Sequence, residues 1–260
     1  MAQNGRYPHD ASMSAGTGEH DIPDIVIRRL PIYVRTLKAI EATGIETVSS
    51  DDLAEQIGVT AAQIRRDLSY FGKFGKQGKG YDVPTLVAEI ERILNLDRQW
   101  AVALIGYGHL GQAIAAYKGF DPSSFRISAI FDRNPKHIGS VSEEGARVLP
   151  ETEISRVVRE HGIRLGIVAV PASAAQEVTD ALIAGGVTAV LNYAPVILRV
   201  PDGIWVREID PTSAMQSMTY YLTDHTEGDE DRLLPALSPD DEYETVNQSG
   251  PKTVEAADGM

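Results

Sequence analysis

Apolar residues recur at helical spacing from residue 21 to about 95, closing on an amphipathic run at 84–94. From residue 99 to about 210 the pattern changes. Short apolar runs at 100–105, 126–131, 165–170 and 188–191 alternate with stretches of helical period, 109–118 and 173–184 among them. Strands alternating with helices predict βαβ units and a parallel sheet. A last amphipathic helix is expected at 212–222, after Pro211. The two ends carry no such order, so residues 1–20 read as a flexible leader and 224–260 as a disordered tail. The expected division is therefore 1–20, 21–97, 98–210, 211–223 and 224–260.

Within the first half, the segment from Ser49 to Leu68 reads as two short helices joined by a tight turn. Ser49 with Asp52 has the form of a capping box, Gly58 suits the turn, and Thr60 is a good N-cap for the second helix. This is helix-turn-helix spacing. On a wheel of roughly 100° per residue, Ala61, Ile64, Leu68 and Phe71 share the inward face. Ala62, Arg66 and Ser69 centre the opposite face, flanked by Gln63, Arg65 and Tyr70. Small and hydrogen-bonding residues permit close approach to a groove floor, and arginines bind guanine edges or phosphates. The following stretch places Lys73, Lys76 and Lys79 among glycines, which predicts a tight hairpin lined with positive charge, the wing of a winged helix. The expected DNA surface is thus Thr60, Gln63, Arg65, Arg66, Ser69, Tyr70, Lys73, Lys76 and Lys79.

The second half opens with an apolar strand running into Gly106-Tyr107-Gly108-His109-Leu110-Gly111 and then a helix. That context gives a glycine triplet its meaning. Gly106 permits a tight turn, Gly108 lets the backbone approach a pyrophosphate, and Gly111 lets helix pack on strand. The phosphates would sit at the helix N-terminus. About twenty residues on, a strand ends at Asp132, placed to accept from ribose hydroxyls; Arg133 beside it could accommodate a 2′-phosphate, but a carboxylate aimed at the ribose repels phosphate, so NAD(H) is expected. An ordinary strand-end cap is the bland alternative for Asp132.

Charge changes this picture at one point. The net charge of −13 looks hostile to nucleic acid, but the tail from Asp224 carries eleven acids and a net of −9. From Thr60 to Tyr81 the net is +4, a basic patch inside an acidic protein. The absence of cysteine excludes disulfides, thiolate zinc and thiol switches, so any redox sensing must use a bound molecule. No apolar run is long enough to span a membrane and no signal core precedes the first half, so a cytoplasmic protein is expected. Catalysis is not expected. None of the six histidines is paired with a carboxylate in a recognisable arrangement, no metal-spaced cluster occurs, and there is no Gly-x-Ser-x-Gly elbow. A dehydrogenase with an accessory DNA-binding module, or a nucleotide-binding interaction module without DNA, are the competing readings.

The stretches Arg29-Leu-Pro-Ile-Tyr-Val-Arg35, Val59 to Gly72, Gly78-Lys-Gly-Tyr-Asp-Val83, the glycine loop, Asn192-Tyr-Ala-Pro195 and Ile209-Asp210 occur in one order. With them, the chain from about Ile22 to Leu222 resembles the Rex family of bacterial redox-sensing transcriptional repressors. The resemblance implies an α/β chain with an N-terminal winged helix-turn-helix, a Rossmann-like parallel-sheet domain and a C-terminal swapped helix. It also implies a homodimer on double-stranded operator DNA, released by NADH and permitted by NAD⁺. Arg65 and Arg66 would be recognition-helix contacts and the three lysines wing contacts. Tyr117 would lie near the nicotinamide, and Arg35 would pair with Asp210 of the other subunit in one state. Asn134 stands where the family often repeats an acid, and Pro211 where it often has a bulky apolar residue.

Overall fold

The computed structural model describes residues 22–75, 80–120 and 123–222. The expected leader and acidic tail lie outside these residues, as do Lys76 and Lys79.

The N-terminal elements are α1 (Asp24–Glu41), β1 (Thr47–Val48), α2 (Ser50–Ile57), α3 (Ala61–Ser69), β2 (Tyr81–Asp82) and α4 (Val83–Ile93). Local signals set their ends. Ser49 and Asp52 form a reciprocal capping box on α2, and Gly58 ends it in the left-handed region at φ +77°. Thr60 caps α3 by accepting from the Gln63 N–H, and Asp82 caps α4 by accepting from Thr85. Leu30, Tyr33 and Leu37 of α1 form one core with Leu53, Ile64, Leu68, Leu86 and Ile90, which fastens the two helices of the turn to the helices around them. The tip of the expected wing hairpin lies outside the described residues. The strand that returns from it, β2, pairs antiparallel with β1. The two described ends flanking that tip approach closely, since a Cβ on Gly75 would come 2.6 Å from the Gly80 carbonyl oxygen.

The remainder builds a six-stranded parallel sheet: β3 (Trp100–Ile105), β4 (Phe125–Asp132), β5 (Val148–Pro150), β6 (Leu165–Val168), β7 (Ala189–Asn192) and β8 (Trp205–Glu208). Its order is β5-β4-β3-β6-β7-β8, so the chain winds outward from β3 in one direction and then from β6 in the other. The helices are α5 (His109–Ala115), α6 (Ile154–Glu160) and α7 (Ala172–Gly185). Helices α6 and α7 bury one sheet face around Ile105, Phe131, Val158, Val168 and Leu182. Among the described residues, the helix on the opposite face is α5, through Ile114 against Leu104, Ile130 and Ile167. The uncovered part of that face is a groove of about 920 Å³, lined by Val102, Ile127, Leu165, Leu191 and Trp205. This is a Rossmann-like α/β fold joined to an N-terminal helix-turn-helix. Helix α8 (Pro211–Thr219) begins where the chain divides into a second unit, and all its side chains are exposed. Among the described residues, no helix is long and apolar enough to cross a membrane.

Candidate functional site

Helix α3 turns Ile64 and Leu68 into the core and leaves Ala62, Arg65, Arg66 and Ser69 exposed, as its wheel predicts. Thr60 is exposed at its cap, Tyr70 is half-buried at its end, and Lys73 is exposed beyond it. Arg65 leans across the turn and donates to Ser50 Oγ at 2.5 Å, with Asp51 3.9 Å away. Ser69 Oγ donates back to the Arg66 carbonyl at 2.6 Å.

Asp67 is the residue that sequence reading passed over, counting it only as a charge. It lies fully buried on the inward stripe. Arg29 of α1 grips it with two hydrogen bonds, Nε to Oδ2 at 2.5 Å and a terminal nitrogen to Oδ1 at 2.8 Å. Tyr33 donates to Oδ2 at 2.6 Å, and the Gln63 side-chain amide donates to Oδ1 at 2.7 Å. Burial works to raise the Asp67 pKa, but these donors outweigh it and hold the carboxyl below its usual range. Burial and the hydrogen bond to Asp67 together push the Tyr33 hydroxyl far up. The signal was available: an acid between Ile64 and Leu68 demands a buried partner, and Arg29 with Tyr33, one turn apart on α1, supplies it. Because Arg29 neutralises Asp67 inside the fold, that acid does not offset Arg65, Arg66 and Lys73 outside.

The three glycines of the second motif serve three different ends. Gly106 follows β3 at φ +94°, and a Cβ there would come 2.4 Å from the Ala169 carbonyl oxygen just beyond β6. A Cβ on Gly111 would come 1.9 Å from the Gly106 carbonyl oxygen, so α5 closes on the turn only without one. A Cβ on Gly108 would meet nothing within 4 Å. The exposed backbone at Gly108, His109 and Leu110 therefore sits at the carboxyl ends of β3 and β6, where the winding reverses, which is where open α/β sheets bind ligands.

Asp132, at the end of β4, is buried beside this loop. Its Oδ2 accepts from the Tyr107 N–H and its Oδ1 from the Asn134 N–H, both at 2.6 Å. Asn134 Oδ1 in turn accepts from the Lys136 N–H, so the residue in the position of a second acid braces the turn. His137 Nδ1 lies 3.1 Å from Asp132 Oδ2, which corrects the expectation that no histidine is paired with a carboxylate. The pairing escapes a sequence reading because it is made by the turn after β4. Burial works to raise the Asp132 pKa, while the backbone donors of Asn134 and Tyr107 and then His137 bring it below the usual range. Burial pushes up the pKa of a second carboxyl, Glu151, with Arg133 opposing it and Asp132 adding to it. Arg133 itself is exposed. Tyr117, expected near the nicotinamide, has its ring contact outside the glycine loop. It is exposed beyond the end of α5, edge-on to Phe120, and it rims the sheet-face groove. Arg35 is exposed on α1, and Asp210 is exposed immediately before α8. An ion pair that sequence did not suggest, Arg207 to Asp24 at 3.5 Å, links β8 to the start of α1.

Comparison with known proteins agrees with both halves. Residues 21–69 match the family described as "Putative DNA-binding protein N-terminus", and residues 97–196 match the "CoA binding domain" family. A protein of Roseiflexus sp. (strain RS-1) named redox-sensing transcriptional repressor Rex is 58% identical over 200 residues, covering 77% of this chain and 90% of the relative. The Streptomyces coelicolor protein of the same name is 40% identical over 217 residues, covering 84% and 82%. Among solved structures, RSP in complex with beta-NAD⁺ and operator DNA superposes with a TM-score of 0.74 at 36% identity, covering 78% of this chain and 93% of that one. RSP in complex with beta-NADH gives 0.71 at 34% identity, covering 78% and 95%.

Proposed function

The chain belongs to the Rex family of redox-sensing transcriptional repressors, and from that premise we propose that it holds operator DNA while NADH is scarce and releases it when NADH binds. One observation carries the reading: a basic recognition helix and a glycine loop left open at Gly108 occur in the same chain. The relatives are repressors, not oxidoreductases, and a sensor must bind its dinucleotide without consuming it. Residues 21–97 serve DNA and 98–210 the nucleotide.

On DNA, Arg65, Arg66, Gln63 and Ser69 face the major groove, with Thr60 and Tyr70 at the helix ends. Lys73, Lys76 and Lys79 hold phosphates from the wing. The residues of the glycine loop fit a dinucleotide. Tyr107 to Leu110 would cradle its pyrophosphate, Gly108 giving closest access, while Gly111 seats α5. Asp132 and Arg133 would take the adenosine ribose. With adenosine on the β4 side, the nicotinamide half would lie toward β6 and β7. NADH and NAD⁺ differ there in ring charge and shape, and that difference is what the bound cofactor supplies. Tyr117 lies away from the loop in one protomer, so its contact with nicotinamide belongs to the assembled dimer.

The chain acts as a homodimer in the cytoplasm. Helix α8 exposes Met215 and Met218, and Tyr220, Tyr221 and Leu222 follow it, so residues 211–223 suit exchange onto a partner subunit. Arg35 and the partner subunit's Asp210 would then form the pair that reports the state. The test is enrichment of duplexes from a randomised pool, with and without NADH. The reading expects a duplex that is enriched by the protein alone and lost when NADH is added; equal enrichment in both arms overturns it.

A further inference from the structure

The buried carboxylate of Asp67 accepts four hydrogen bonds: two from Arg29, one from Tyr33 and one from Gln63. A carboxylate offers about four lone-pair sites, so Asp67 is saturated. Held ionised by Arg29, it can only accept, and the group of Gln63 that meets it must be the amide nitrogen. Turning the amide over would set Oε1 against a carboxylate oxygen. The half-buried Gln63 is therefore fixed one way round, and its Oε1 accepts from no described residue. It sits on α3 between exposed Ala62 and exposed Arg65 and Arg66.

We propose that Gln63 is a specificity-determining contact that offers DNA a hydrogen-bond acceptor, with Asp67, Arg29 and Tyr33 as the positioning residues that fix its orientation. The inference rests on α3 being the recognition helix. In the major groove the groups that can donate to such an acceptor are the exocyclic amines, adenine N6 and cytosine N4; guanine O6 and N7 and thymine O4 only accept. Gln63 selects an amine at the position it meets. A glutamine free to turn over would read either polarity, so the selectivity is made by α1, which never touches the base.

The experiment starts from a duplex enriched by the wild-type protein from a randomised pool. Each adenine is replaced in turn by purine, and each cytosine by 2-pyrimidinone, which removes one amine at a time. The wild type loses about five- to tenfold in affinity at one position, and Gln63→Ala loses nothing further there. Asp67→Asn lets the amide turn over and loses the dependence while its salt slope stays unchanged; Tyr33→Phe reads the same way more weakly if Asp67→Asn fails to fold. No position at which Gln63→Ala and amine removal are coupled overturns the contact. Retention of the dependence in folded Asp67→Asn, or full retention in Tyr33→Phe, overturns the positioning role. If the wild type enriches no duplex at all, the recognition-helix reading has failed instead.

Discussion

Asp132 carries two loads at once. It anchors the glycine loop through the Tyr107 N–H, and in the proposed function its charge at the end of β4 would also meet the adenosine ribose. Its backbone donors keep it ionised, so it repels a 2′-phosphate. Asp132→Asn should weaken NADH binding several-fold and NADPH binding less, as read by titrating both nucleotides. An unchanged ratio would leave Asp132 with the loop alone, the role of a strand-end cap. Asp67 makes a different prediction. Its pKa in the folded state is lowered, so its stabilisation is complete above the unfolded carboxylate range and is lost as pH falls through the folded value. Removing one partner of a buried pair costs about 3–5 kcal/mol. Urea unfolding should therefore show Asp67→Asn well below wild type at neutral pH, with the gap closing below about pH 4. A gap that persists undiminished into acid would mean that Asp67 does not titrate with the fold.

The glycine loop shows how an element divides its tasks among like residues. Gly111→Ala must push α5 away from the turn, so it should lower both stability and nucleotide affinity. Gly108→Ala meets no neighbour, so its melting temperature should match wild type while NADH binding falls. Equal effects of the two substitutions on stability would refute this division. Elements with a continuous apolar run or explicit caps were readable from sequence: β3, β7, the capping box at Ser49 and the left-handed Gly58 all occur as expected. Elements at the sheet edges were not. β5 spans three residues and β8 four, two of them charged, too little for any period to register. The helix expected at 109–118 stops at Ala115, and the chain turns through Tyr117 to Phe120 instead. That early stop carries Tyr117 to the groove. What sequence missed in the sites, the Arg29–Tyr33–Asp67–Gln63 cluster and the His137–Asp132 pair, is contact between segments that periodicity treats separately.

At the scale of the whole molecule, the proposed function has DNA and NADH bind to different parts of the chain, so release requires states that each ligand favours differently. In the proposed homodimer, the open sheet face and the exposed Met215 and Met218 of α8 would be covered by the second copy. In the proposed reading, Arg35 on α1 and the partner subunit's Asp210 at the threshold of α8 would report on that assembly. Asp210→Ala should leave DNA binding nearly intact and shrink the effect of NADH on it. A variant that responds as wild type does would remove this pair from the switch. The central claim is tested most directly by measuring the affinity of the wild-type protein for its enriched duplex, with and without saturating NADH, under one fixed salt concentration. The account predicts that NADH weakens DNA binding about 5- to 150-fold, and that the duplex weakens NADH binding by the same factor. An affinity for DNA that NADH leaves unchanged would contradict it.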